Sequence, residues 1–283
     1  MTVPVYYDPR QSVADVNSYS PSASKPAKFM TSIAAKGIAI NTMPVCPISK
    51  NDLLLAHAAS YVDGIFDGTV NNGFENNDRR VPESCLWTIG SLTTAVLDAG
   101  KHGRIACSPT SGFHHAGHAW GGGFCTFNGL AVAAAKFIQA NPGKKVAILD
   151  LDYHDGDGTR SVLKANPALS DAVLHLTSGK HFFDKFSDES HEFFAWLYGA
   201  IERIQRFKPD VVIYQAGADM SIHDPLGGLL TDTEMAHRDQ LVFSRIKCPI
   251  VFNLAGGYRS MIGNTDPVIK LHLTTLGIAN REA

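Results

Sequence analysis

Residues Val146–Thr159 read V-A-I-L-D-L-D-Y-H-D-G-D-G-T. The opening run is apolar at every position, as expected of a strand covered by helices on both sides. Period-2 alternation then places Asp150, Asp152 and His154 on one face at the strand's C-terminal end, where open α/β sheets carry their ligand sites. Asp155 and Asp157 follow among glycines that permit a tight turn before a helix starting near Thr159. A lone Asp-Gly turn would read as a polar loop with a helix cap. Asp-x-Asp-x-His on one face of an apolar strand asks for more, because buried unpaired charge is costly and a divalent cation compensates it. Two ligands on one strand require a third from elsewhere.

Outward from this strand, short apolar runs alternate with segments of helical period. Strands are expected at Val3–Tyr7, Gly37–Asn41, Arg104–Ser108, Lys145–Leu151, Ala172–Thr177, Asp210–Gln215 and Pro249–Leu254. Helices are expected at Lys50–Phe66, Glu83–Asp98, Thr126–Ala140, Thr159–Ala165, Glu189–Phe207, Thr231–Ile246 and Asp266–Leu276. The alternation predicts one three-layer αβα domain over residues 1–283 with a mostly parallel central sheet. Residues 10–30 and 68–82, rich in Ser, Asn, Pro and Asp, read as surface loops.

Lys and Arg number 25 against 27 Asp and Glu, and 18% of residues are charged, so no basic field exists to hold nucleic acid or anionic lipid. Five cysteines (Cys46, Cys85, Cys107, Cys125, Cys248) contain no C-x-x-C pair, which fits neither a disulfide framework nor a thiolate zinc knuckle. With no leader pattern and no run near the ~18–20 apolar residues of a membrane span, the expectation is a cytoplasmic protein.

Other strand ends also carry polar groups. Residues 111–128 read S-G-F-H-H-A-G-H-A-W-G-G-G-F-C-T-F-N, with the pair His114 and His115 suited to general acid/base work. His118 reads as a surface or satisfied core residue, and Phe124 and Phe127 as core more often than tunnel wall. The run D-V-V-I-Y-Q-A-G-A-D-M-S-I-H-D-P-L-G-G delivers Asp219, His223 and Asp224, of which Asp224 can supply the missing ligand. P-I-V-F-N-L-A-G-G-Y ends on Tyr258, whose hydroxyl can donate to an oxyanion.

Taken together, F-H-H-A, G-F-C-T-F-N, D-L-D-Y-H-D-G-D-G-T, Q-A-G-A-D-x4-D-P-L-G-G and N-L-A-G-G-Y resemble the histone deacetylase superfamily, the zinc-dependent lysine deacetylases and their acetylpolyamine amidohydrolase relatives, from about Leu53 to Ala279. The resemblance implies an arginase/deacetylase-like fold and Asp152, His154 and Asp224 as ligands of a catalytic zinc, with iron(II) an alternative for such donors. It implies His115 as general base oriented by Asp157, His114 as the second histidine bonded to Asp150, and Tyr258 as the oxyanion donor. Gly123 and Phe124 would line the acyl-lysine channel, with Phe182 or Phe183 opposite. A potassium ion would sit against Asp150, Asp152, the backbone of His154, Thr177 and Ser178.

The implied activity is removal of acetyl or other acyl groups from lysine side chains of a protein or peptide, with a small acyl-amine such as an acetylpolyamine as the alternative substrate. Ala255 stands where a third glycine is frequent in the family, and Asp155 where many relatives have a second histidine. Asp78 is the candidate for the acidic rim residue that grips substrate backbone. A two-manganese guanidino hydrolase would need more bridging carboxylates, and a non-catalytic binding module would leave a full set of reactive side chains without a task.

Overall fold

In β4 (Val146–Asp150), Val146 and Ile148 face one apolar layer while Ala147 and Leu149 face the other. The same alternation runs through β6 (Val211–Gln215) and β7 (Ile250–Asn253), so these strands are apolar up to their last residue because both faces are covered. The computed structural model describes residues 2–185, 189–259 and 266–283. With β1 (Pro4–Tyr6), β2 (Asn41–Met43), β3 (Ile105–Ser108) and β5 (Val173–Thr177), the strands form one seven-stranded sheet in the order β2-β1-β3-β7-β6-β4-β5, every pairing parallel.

Helices α1 (Lys25–Ala35), α8 (Ser190–Phe207), α9 (Asp232–Arg245) and α10 (Pro267–Glu282) cover one face. Helices α2 (Ala59–Asp67), α3 (Arg80–His102), α4 (Gly129–Ala140), α5 (Asp157–Ala165) and α6 (Pro167–Ala172) cover the other, and the short α7 (Gly179–Phe182) follows β5. The expected three-layer fold is the observed one.

Register places the site. Ser108 pairs with Asn253, Asn253 with Gln215, Gln215 with Asp150 and Asp150 with Thr177, so five apolar strands end together in one row of polar residues at the C-terminal edge. Past that row the backbone leaves the sheet and can aim side chains at a common point.

Three local expectations are corrected. Residues 10–30 are not simply a surface loop: a 3-10 turn forms at Pro9–Gln11, and α1 begins at Lys25 and buries Lys25 and Phe29. The helix expected over Lys50–Phe66 is a 3-10 turn at Lys50–Leu55 and then α2, interrupted where the buried His57 ring bonds the Gly117 carbonyl and the Asn128 amide, each at 2.8 Å. The second strand lies at Asn41–Met43, later than the expected Gly37–Asn41, because Gly37 takes the left-handed conformation (φ +60°) just after α1.

Candidate active site

His114 donates from Nδ1 to Asp150 Oδ2 at 2.8 Å, and Gln215 Nε2 holds the other oxygen of that carboxylate at 2.9 Å. Gln215 accepts the Phe113 amide on Oε1 at 3.1 Å, so a single strand-end amide positions both the histidine loop and its acid. His115 donates from Nδ1 to Asp157 Oδ1 at 2.8 Å, and the two imidazole centroids are 4.0 Å apart. In each ring the carboxylate fixes a proton on Nδ1, and His114 Nε2 lies 3.6 Å from Asp152 Oδ1.

The two motifs meet at Gly158. A Cβ there would lie 2.5 Å from the His114 carbonyl oxygen and from the His115 carbonyl carbon, and the Thr159 amide donates to that same His114 carbonyl at 3.0 Å. Gly123 performs the equivalent service on the other side: its backbone is left-handed (φ +51°), and a Cβ would stand 2.4 Å from His115 Cδ2.

Electrostatics separates the pair. Burial pulls the His114 proton affinity down, but the carboxylates of Asp150 and Asp152 outweigh it and push the pKa up to about 9. Burial and the neighbouring His114 charge hold His115 below the usual histidine range, against the pull of Asp157. The result is one imidazole held protonated beside one held neutral near neutral pH.

Asp152, His154 and Asp219 bring one ligand atom each to within 4.8 Å of one another. His154 Nδ1 lies 3.2 Å from Asp152 Oδ1 and 2.9 Å from Asp219 Oδ2. Burial and the Asp152 charge push Asp219 up to about 7, whereas Asp152 is held well below its ordinary range by His114 and His154 despite its own burial. Two buried carboxylates and an imidazole converging on one point form a nitrogen and oxygen donor set that suits a divalent cation.

Asp224, expected as the third ligand, is not in that converging group. Its Oδ2 accepts the Tyr258 amide at 2.6 Å and its Oδ1 the Leu226 amide at 3.0 Å, so it anchors the loop that carries Tyr258. Sequence reading left Asp219 without a role, since an aspartate after Q-A-G-A carries no local signal of what faces it across the sheet.

A narrow pocket leads to these groups, lined by His114, Gly123, Phe124, Asp152 and Tyr258. Phe124 holds a left-handed backbone (φ +64°), supported by its amide bond to the Gly73 carbonyl at 2.9 Å, and its ring centroid is 5.5 Å from that of Tyr258. Burial raises the Tyr258 phenol well above its ordinary range, so it stays a hydrogen-bond donor. Phe183 stands exposed, its centroid 5.9 Å from that of His154. Phe182 corrects the expectation of a channel wall: it is buried against Phe193 and Trp196 in the apolar layer beneath α8. Helix α7 turns the two adjacent rings to opposite sides.

Lys25, missed because its neighbourhood resembles a Ser/Pro-rich loop, lies fully buried beneath the pocket. Its Nζ donates to the carbonyls of Leu254, at 3.0 Å, and of Gly256. Burial lowers its pKa to about 8 against the opposing pull of Asp219, Asp152 and Asp224. It therefore ties the glycine turn before Tyr258 to α1.

The residues expected around a monovalent cation also come together. Ser178 Oγ lies 3.3 Å from the Asp150 carbonyl and 3.0 Å from that of Asp152, while Thr177 Oγ1 accepts the Gly156 amide at 3.0 Å. Gly179 packs directly on the His154 carbonyl. His118 is structural, its Nδ1 bonded to the Ala56 carbonyl at 2.8 Å, and Phe127 is core. Asp78 precedes α3 and pairs with Arg80 at 2.6 Å, which occupies the carboxylate proposed for the rim. Among the described residues no helix is long and apolar enough to cross a membrane.

Comparison with known proteins bears on the family and the fold. The histone deacetylase domain family matches residues 22–195 and 185–274. Histone deacetylase 15 of Arabidopsis thaliana is 27% identical over 262 residues, covering 80% of this chain and 47% of that one. Acetylpolyamine amidohydrolase 1 of Pseudomonas aeruginosa is 28% identical over 217 residues, covering 66% and 62%. The chain thus spans less than two thirds of either relative. The crystal structure of the HDA15 HD domain superposes with a TM-score of 0.76 at 21% identity, over 99% of this chain and 89% of that one, a likeness of fold.

Proposed function

Because the chain belongs to the histone deacetylase family, we propose that it is a metal-dependent amidohydrolase that removes acetyl groups from lysine side chains. The observation that carries the reading is the arrangement of His114–Asp150 and His115–Asp157 beside Asp152 and Tyr258 around one narrow pocket. An amide is a poor electrophile, and a divalent metal supplies water activation and carbonyl polarisation when bound.

Asp152 and His154 would hold that metal, zinc or iron(II). For the third position, convergence favours Asp219 and the D-x4-D-P spacing favours Asp224. Asp219→Asn and Asp224→Asn, each assayed for metal per chain, distinguish them: the variant that loses the ion names the ligand, and full retention by both refutes a metal site here.

The remaining work falls to this chain's own groups. His115 Nε2 takes a proton from the attacking water and returns it to the leaving amine, with Asp157 holding the ring's orientation. Tyr258 donates its hydroxyl to the developing oxyanion, and Lys25 and Asp224 fix the turn from which it does so. Gly123 and Phe124 line the acyl-lysine passage with Phe183 at its mouth. A potassium ion at Asp150, Asp152, His154, Thr177 and Ser178 would neutralise carboxylate charge behind the metal.

The test is acetate release from an acetyl-lysine peptide and from N-acetylputrescine, with and without chelator. Chelator-sensitive turnover of the peptide supports the proposal. Turnover of N-acetylputrescine alone would favour the second reading, suggested by the Pseudomonas relative, and turnover unaffected by chelator would refute the metal.

A further inference from the structure

At the sheet edge away from β2, we infer a docking groove for an acidic peptide in extended conformation. β5 ends the sheet. Its five residues, Val173–Thr177, line a groove of ≈ 610 Å³ between α5 and α8, capped by α7. Ser178 donates its amide to the Asp150 carbonyl, which sets the phase of the strand. Alternation then turns the backbone groups of Leu174 and Leu176 toward β4 and those of His175 and Thr177 toward the open edge, while the Val173 amide is taken up by the Ser170 carbonyl at the end of α6. Such an edge is a template for an added strand, in which main-chain bonds supply affinity and flanking side chains supply selectivity.

The flanking side chains specify the occupant's charge. Arg160, Lys164, Lys180 and Arg203 line the groove, and among the described residues no aspartate or glutamate does. Arg160 is bound to Asp155 at 2.6 Å, whereas Lys164, Lys180 and Arg203 form no ion pair among the described residues. These three cations come from three different helices, α5, α7 and α8, so the positive walls stand along the length of the strand. Trp196 adds an apolar surface at the α8 wall. An incoming strand with carboxylates on alternate residues would meet cations while its amides and carbonyls pair with β5. The whole chain is near neutral, which makes this local excess a feature of the groove.

The test uses the full chain and a fluorescein-labelled octapeptide of alternating glutamate and valine, followed by fluorescence anisotropy. Saturable binding is expected. Methylating the peptide's backbone nitrogens at alternate residues removes donors without changing charge and should weaken binding at least tenfold in one of the two phases. Lys164→Glu with Lys180→Glu and Arg203→Glu should weaken it at least tenfold while deacetylation of a neutral acetyl-lysine peptide is unchanged. Amides of His175 and Thr177 should gain protection from hydrogen exchange on binding.

Absence of saturable binding overturns the proposal. So does equal affinity for both N-methylated peptides, since the groove would then be a general anion site, an outcome that displacement by inorganic polyphosphate would accompany. Should the triple variant fail to fold, the N-methylated comparison on the unaltered chain still decides.

Discussion

Replacing Asp157 with asparagine isolates what the carboxylate does for His115. The side chains keep nearly the same shape, but the acceptor 2.8 Å from Nδ1 loses its charge. A hydrogen bond to a charged group contributes roughly 1.5–3 kcal/mol, and the Asp157 side chain is 45% exposed, so solvent screening reduces this to ~1–2 kcal/mol. That stabilisation grows as His115 takes on a proton in the transition state, so its loss falls on the chemical step. At 1.36 kcal/mol per tenfold, kcat/KM should drop ~5- to 30-fold.

The pH profile gives an independent sign. His115 acts as a base only when neutral, so activity rises with pH through its pKa. Burial and His114 already depress that pKa, and Asp157 opposes them. Asp157→Asn removes the opposition, so the acid limb must move to lower pH even as the plateau falls. The assay is acetate release from an acetyl-lysine peptide across pH 5–9, roughly the range in which histidine titrates, with metal content measured in parallel. Undiminished turnover, or an acid limb displaced upward with metal retained, would refute the assignment of His115 as the base held by Asp157.

Tyr258→Phe removes an oxyanion donor and should cost ~10²- to 10³-fold in kcat with the melting temperature little changed; a loss confined to KM would argue against that role. Gly123→Ala would drive a Cβ to 2.4 Å from His115 Cδ2, and a displacement of that ring should cost about a hundredfold in kcat. Lys25→Met orphans two buried carbonyls, at ~1–3 kcal/mol each, and should lower the denaturation midpoint in urea, with Lys25→Arg partly restoring it. Since Lys25 has a pKa of about 8 in the fold against 10.5 as its ordinary value, the cost of burying its charge is present below pH 8 and fades as pH rises toward 10.5; Lys25→Met should remove that gain from the stability profile.

The fold was legible because β4, β6 and β7 are buried on both faces and therefore apolar at consecutive positions up to their last residue, a pattern that neither a half-exposed strand nor a surface helix produces. The acids were legible because they lie at and just past the end of β4, and the histidine pair because it follows β3. Lys25 was not, because a lysine between a serine and a proline looks solvated until α10 and the Tyr258 turn close over it. Phe182 and Phe183 were indistinguishable as neighbours, since only the packing of α7 on α8 sends one ring inward and leaves the other outside.

From the sequence alone followed the αβα class, the strand ends that carry chemistry and the residue types available there, all consequences of local periodicity. Which carboxylate faces His154, that Gly158 must lack a side chain for two motifs to meet, and that β5 ends the sheet between cationic walls were settled by the tertiary structure. Strand register and helix packing bring together residues far apart along the chain, and no local pattern encodes those distances.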